Sequence, residues 1–173
     1  MIHKIKPAAF LLIKTNVNAF KMASSIRQWG LVVWTSPVYG PYQIVAYVEA
    51  DDEMELLQFI EDLRSRRDIV ELDARMCKPI PGDEKLTPLQ ITAPKSAVLL
   101  VTVNYNEEKE KTVAYNLRKL KGIRLARALW GPTDIIAIAE ASDDEAMRNL
   151  ICDEVKLMRG VKANTTLYCY PAG

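Results

Sequence analysis

Residues 39–50 read Y-G-P-Y-Q-I-V-A-Y-V-E-A, and residues 130–141 read W-G-P-T-D-I-I-A-I-A-E-A. The offset is 91 positions, and no gap is needed across the stretch. An aromatic residue, Gly-Pro, a polar pair, an apolar run and Glu-Ala fall in the same order. Each copy then runs into an acidic helix start, Asp51-Asp52-Glu53 or Ser142-Asp143-Asp144-Glu145. Solenoid units repeat every 20–50 residues or so. A period near 90 is long enough for each copy to be a folded module, so the chain reads as a duplicated domain.

Working outward, the first copy predicts a buried strand over Ala8 to Thr15, a continuous apolar run. Asn16 and Asn18 can cap a helix carrying Ala19, Ala23 and Ile26. Gly30 follows it, then a strand from Leu31 to Trp34, the Gly40-Pro41 turn and a strand from Ile44 to Val48. Asp51 and Asp52 cap a second helix, in which Leu56, Phe59, Ile60 and Leu63 keep helical spacing. Ile69 to Met76 supplies the last strand. The second copy predicts strands at Ala97 to Val103, Ile123 to Trp130, Ile135 to Ala139 and Val161 to Tyr170. Its first helix is expected to be capped by Asn106. Its second is expected to open on a Ser142/Glu145 capping box and to bury Met147, Leu150, Ile151, Val155 and Met158.

Each copy is therefore βαββαβ, the ferredoxin-like unit. The expected organisation is a first repeat over 1–78, a Pro-rich linker over 79–95 and a second repeat over 96–173. At about 3.3 Å per extended residue the linker can reach roughly 50 Å, enough to cross a module. A four-stranded sheet with both helices on one side leaves its other face bare, whereas these strands are apolar on both faces. The fold class expected is α+β, with the two repeats paired through their sheets as a pseudo-dimer, a dimeric α+β barrel or sandwich.

Composition narrows the function. With 23 basic and 22 acidic residues the formal charge is +1, which gives no bulk attraction to nucleic acid. There is no apolar run of 18 residues, so no membrane span is expected. The short apolar stretch after Met1–Lys6 lacks a small-residue cleavage site and reads as a first strand. Cys77, Cys152 and Cys169 are odd in number and not spaced for zinc, which points to a reducing, cytoplasmic compartment. His3 is the only histidine, which disfavours histidine-dependent catalysis. No catalytic residue, metal site or cofactor is expected. The basic stretches Arg64–Arg67 and Arg118–Arg124 sit at helix C-terminal ends, where cations complement the helix dipole.

The candidate ligand-binding residues are the two turns, Trp130, Gly131, Pro132, Thr133 and Asp134, and Tyr39, Gly40, Pro41, Tyr42 and Gln43. Glycine lets another group approach the backbone, and the amides near it could hold a carboxylate beside the aromatic ring. Asp134 could pair with a ligand ammonium; its counterpart Gln43 carries no charge. The same residues serve equally well as plain hairpins between strands.

With these features each copy resembles the effector domain of the leucine-responsive regulator/AsnC family (Lrp/AsnC). The features are the apolar first strand, the helix followed by Gly30 or Gly122, and Gly131-Pro132-Thr133-Asp134 entering an apolar strand before an acidic-capped helix. The first copy departs from the pattern at Gln43. The resemblance implies a small effector, typically an amino acid, bound near the glycine turn, and a homo-oligomer. Family members usually carry a helix-turn-helix, and none precedes the first repeat in this sequence. The expectation is a sensor or regulatory module with no direct nucleic-acid contact and a separate DNA-binding regulator as a candidate partner. The rival is a small enzyme of the same barrel class, an oxygenase, a decarboxylase or a haem-related enzyme. A regulator-like group in tetrapyrrole metabolism keeps that rival in view.

Overall fold

The computed structural model describes residues 5–171, so His3 and the start of the basic N-terminal stretch lie outside the described residues. The chain divides into two compact units. One runs through Cys77 and includes Pro81–Leu86; the other takes Lys78–Ile80 and the chain from Thr87 onward.

In the first unit the elements are β1 (Ala8–Thr15), α1 (Ala19–Arg27), β2 (Val32–Pro37), β3 (Ile44–Glu49), α2 (Glu53–Arg64) and β4 (Ile69–Met76). The strands form one antiparallel sheet in the order β2-β3-β1-β4. Ala9, Leu11 and Ile13 alternate onto the helix side and pack with Met22, Ala23, Ile26, Leu56, Ile60 and Leu63. Ala8, Phe10 and Leu12, on the opposite face of β1, are also buried. Asn18 caps α1 through the N–H groups of Phe20 and Lys21. Asp52 caps α2 through Glu55 N–H, and Glu55 returns a bond to Asp51 N–H, so both donors at the helix start are satisfied.

The second unit repeats the plan with β5 (Lys95–Val103), α3 (Glu110–Arg118), β6 (Ile123–Ala128), β7 (Ile135–Ala141), α4 (Asp144–Asn149) and β8 (Val161–Tyr168). Its sheet order is β6-β7-β5-β8. Ala97, Leu99 and Val101 face Val113, Ala114, Leu117, Met147 and Ile151. Ile80 joins this second core.

Two local expectations are corrected. Asn106 does not cap α3. The helix starts later, after Lys109, because Asn104 first closes a tight turn that takes the N–H groups of Asn106, Glu107 and Glu108. The cap of α4 is Asp143 rather than Ser142, and its carboxylate accepts from Ala146 N–H. From Leu150 to Val155 the same rod continues as a π-helix, which still turns Leu150, Ile151 and Val155 inward. Among the described residues no helix is long and apolar enough to cross a membrane.

Candidate functional site

The two sheets share an irregularity. The pairing register shifts between Lys14 and Thr15 in the first repeat and between Thr102 and Val103 in the second. The extra residue is Val70 on β4 and Lys162 on β8. The N–H groups of Thr15 and Val103 face the other neighbour, past the ends of the β1–β3 and β5–β7 pairings, where each needs another partner. In the first repeat that partner is Gln43, whose Oε1 accepts from Thr15 N–H at 2.6 Å. In the second it is Asp134, whose Oδ2 accepts from Val103 N–H at 2.9 Å. The turns match as well: Val38 N–H donates to Gln43 O and Leu129 N–H to Asp134 O, both at 2.9 Å. Gly40 and Gly131 have left-handed φ values of 126° and 113°. The Gly131-Pro132 peptide is cis.

Around these common parts the repeats diverge. In the first, Tyr42 donates to Asp73 at 3.1 Å, and Arg75 grips the same carboxylate with two bonds of 2.9 and 2.7 Å. Those guanidinium bonds hold the Asp73 carboxyl below its ordinary range against the effect of its burial. Tyr39 and Gln43 are exposed, as are Gly40 and Pro41. The turn therefore leans on a structural ion pair.

In the second repeat the connection from β5 to α3 is longer, and it carries Tyr105 to the turn. The Tyr105 hydroxyl lies 3.1 Å from Asp134 Oδ1 and 3.2 Å from Glu110 Oε2, between two carboxylates. Burial and the Asp134 and Glu110 charges raise the Tyr105 pKa, so the phenol keeps its proton. Glu110 opens α3, where the positive end of the helix dipole favours a carboxylate. Its other oxygen pairs with the Lys78 ammonium. That ammonium lies 5.2 Å from the centre of the Trp130 ring, inside cation–π range. Trp130 itself is 67% exposed. Pro132 is exposed beside it, and Gly131, Thr133 and Asp134 are half-buried.

The structure thus gathers the second-turn residues with three that sequence reasoning had not singled out, Tyr105, Glu110 and Lys78. Two signals pointed to Tyr105 and Glu110. The strand-to-helix connection spans 104–109 in the second repeat against 16–18 in the first, and Ala19 occupies the helix-start position that Glu110 takes in the second. Lys78, just past β4, has no marker in the sequence.

The basic stretches are engaged locally. Arg118 donates to Ala126 O at 2.8 and 3.0 Å, Arg124 pairs with Glu140, and Arg66 pairs with Asp68 while lying over Trp29. Among the described residues no group of three or more His, Cys, Asp or Glu side chains could hold a metal ion.

No protein-family model and no curated protein matches the sequence. Solved structures do match. The siroheme decarboxylase NirDL aligns over 94% of this chain and 70% of its own, with a TM-score of 0.66 at 10% identity. A mutant chlorite dismutase from Candidatus Nitrospira defluvii aligns over 95% and 91%, with a TM-score of 0.55 at 12% identity. The chain shares their fold. It is an α+β protein of two ferredoxin-like repeats, of the dimeric α+β barrel class. A transcriptional regulator from Neisseria meningitidis, NMB0573 in complex with L-Met, is also similar, over 68% of each chain at 18% identity. Its TM-score of 0.39 is too low to carry weight. Identities this low speak for the fold alone.

Proposed function

We propose that this chain is a small-molecule-binding module of regulatory use, and that its ligand is an amphoteric compound of the amino-acid class held at the second-repeat turn. The observation that carries the reading is the juxtaposition of an exposed Trp130 ring with both signs of charge, Lys78 and Glu110, and the Tyr105–Asp134 pair. A flat apolar surface beside a few convergent polar groups is how small-ligand sites are commonly built. In this reading Trp130 covers the apolar part of the ligand. Amides of the 131–134 turn receive its carboxylate, and Glu110 with Asp134 forms the acidic side that receives its ammonium. The first-repeat turn, with Gln43 at the corresponding position, is weak or structural. The module self-associates and acts with a separate DNA-binding regulator rather than contacting DNA itself.

A thermal-shift panel of amino acids and small carboxylates, followed by calorimetry on the hits, tests the proposal. At least one amino acid should stabilise the protein in a concentration-dependent way. A panel with no stabilising member contradicts it. The haem-enzyme form of the rival reading is separated by mixing the protein with haem: the binding module leaves the visible haem spectrum unchanged.

A further inference from the structure

Lys78 stands out in this cluster because it comes from neither the turn nor the β5–α3 segment that carries Tyr105 and Glu110. It belongs to the Lys78–Ile80 stretch, which packs with the second unit: Lys78 N–H donates to Ala128 O at 2.7 Å, and Ile80 is buried in that core. The backbone is thus pinned next to β6, and the side chain is delivered to Trp130 and Glu110. A carboxylate on one side and an indole face on the other is an arrangement that recognises an alkylammonium group. The occupant here is the chain's own ammonium. Glu110 is held on both oxygens, one by Lys78 and one by the Tyr105 hydroxyl, and only 16% of its side chain is exposed, so its orientation is fixed. The first repeat lacks this arrangement, since Ala19 stands where Glu110 would be.

We propose that Lys78 is a resident occupant of an ammonium site formed by Trp130 and Glu110, and that an external ligand binds there by presenting a primary alkylammonium group that displaces it. The proposal rests on the reading that the second-repeat turn binds small molecules, and adds that the ligand's cationic end meets Glu110 and Trp130 in competition with Lys78. The competition lowers the wild-type affinity by as much as the internal contact is worth. The site therefore responds only to ligand concentrations high enough to outcompete a tethered lysine. Once displaced, the Lys78 ammonium is free to meet the anionic end of the same ligand.

The test uses n-butylammonium, which matches the whole lysine side chain and is one methylene longer than the part that Lys78→Ala removes. In the Lys78→Ala chain it should bind at least about tenfold more tightly than in the wild type. The readouts are calorimetry and the fluorescence of Trp130, identified by its loss in Trp130→Phe. Lys78→Ser serves as a second variant, with the far-ultraviolet spectrum and melting temperature as controls for folding. Adding Glu110→Gln to either variant should abolish the gain. A folded Lys78→Ala or Lys78→Ser chain that gains no affinity overturns the proposal, as does a gain that survives Glu110→Gln. The two readings fail separately. Wild-type binding of an amino acid with no n-butylammonium gain leaves the binding module standing without the displacement. A gain with no amino-acid hit leaves the ammonium site and removes the amino-acid assignment.

Discussion

Asp134 accepts the backbone N–H of Val103 at 2.9 Å, a donor that lies past the end of the β5–β7 pairing at Val101 and Ile135. Gln43 does the same for Thr15 at the same point of the other repeat. The position that sequence reasoning singles out for ligand charge thus also has a task in the fold, which Asp and Gln perform equally. The charge of Asp134 is the part that the fold does not require.

That division gives a stability prediction. Asp134→Ala leaves the N–H of Val103, a buried residue, without an acceptor and should cost about 1–3 kcal/mol. Gln43→Ala should cost a comparable amount through Thr15. Asp134→Asn keeps an acceptor and should change stability little, while weakening any ligand whose ammonium it contacts by tenfold or more. Urea unfolding of the three variants checks the first part and calorimetry the second.

The 104–109 connection is braced from below. Gly160 has a φ of 90°, donates its N–H to Glu107 at 3.0 Å and accepts from Asn104 N–H at 2.7 Å. A Cβ there would lie 2.7 Å from Glu108 Cβ and 2.8 Å from Val113 Cγ2. Gly160→Ala should therefore cost about 1–3 kcal/mol, from crowding and from a positive φ that alanine resists. It should also free Tyr105 from Asp134. Thermal unfolding and the Tyr105 ring signals by NMR report the two effects.

Glu140 gives the acid limb of the stability curve a specific contributor. Burial pushes its carboxyl pKa up, but the N–H groups of Ala93 and Thr92 and the Arg124 guanidinium outweigh this and hold it below the ordinary value. A carboxyl depressed in the folded state stabilises above its unfolded pKa, near about 4.3, and that stability is lost as pH falls through the folded value. Glu140→Gln should lower stability at neutral pH and flatten its decline in acid. Unfolding free energies between neutral and strongly acidic pH measure both; an unchanged acid slope contradicts the assignment.

Tyr105 acts at the alkaline end. Its raised pKa means that the protonated phenol is favoured in the folded chain, so its contribution is complete below the unfolded value near about 10 and is lost as pH rises through the folded one. The Tyr42 phenol is also raised, by burial and the Asp73 carboxylate; in an ultraviolet titration both should ionise late, and Tyr105→Phe should remove one late step while leaving that of Tyr42.

Much of the fold was legible because duplication writes the same strand order twice, and because runs such as Ala8–Thr15 and Ile69–Met76 are long and sharply bounded. The helix starts at Asp143 and Glu110 were missed by one and several residues. At the first, Ser142, Asp143 and Asp144 stand in a row and only local geometry decides which one caps; at the second, Asn104 closes a turn and α3 starts after Lys109 with no side-chain cap. The turn residues of the site were visible as a repeated motif. The strand-end donors that employ Gln43 and Asp134 were not, since where a pairing stops is a property of both strands. Lys78 reaches Trp130 only because Ile80 packs into the second unit's core, and a Pro-rich stretch gives no sign of that.

The most direct test of the central claim is a titration of the panel's best-stabilising amino acid followed through the indole N–H signals of the three tryptophans, with Trp130 assigned by its loss in Trp130→Phe. The account predicts that the Trp130 signal moves and saturates with the ligand while those of Trp29 and Trp34 stay in place. A ligand that saturates the protein, shifting Trp29 or Trp34 and leaving Trp130 unmoved, would contradict it.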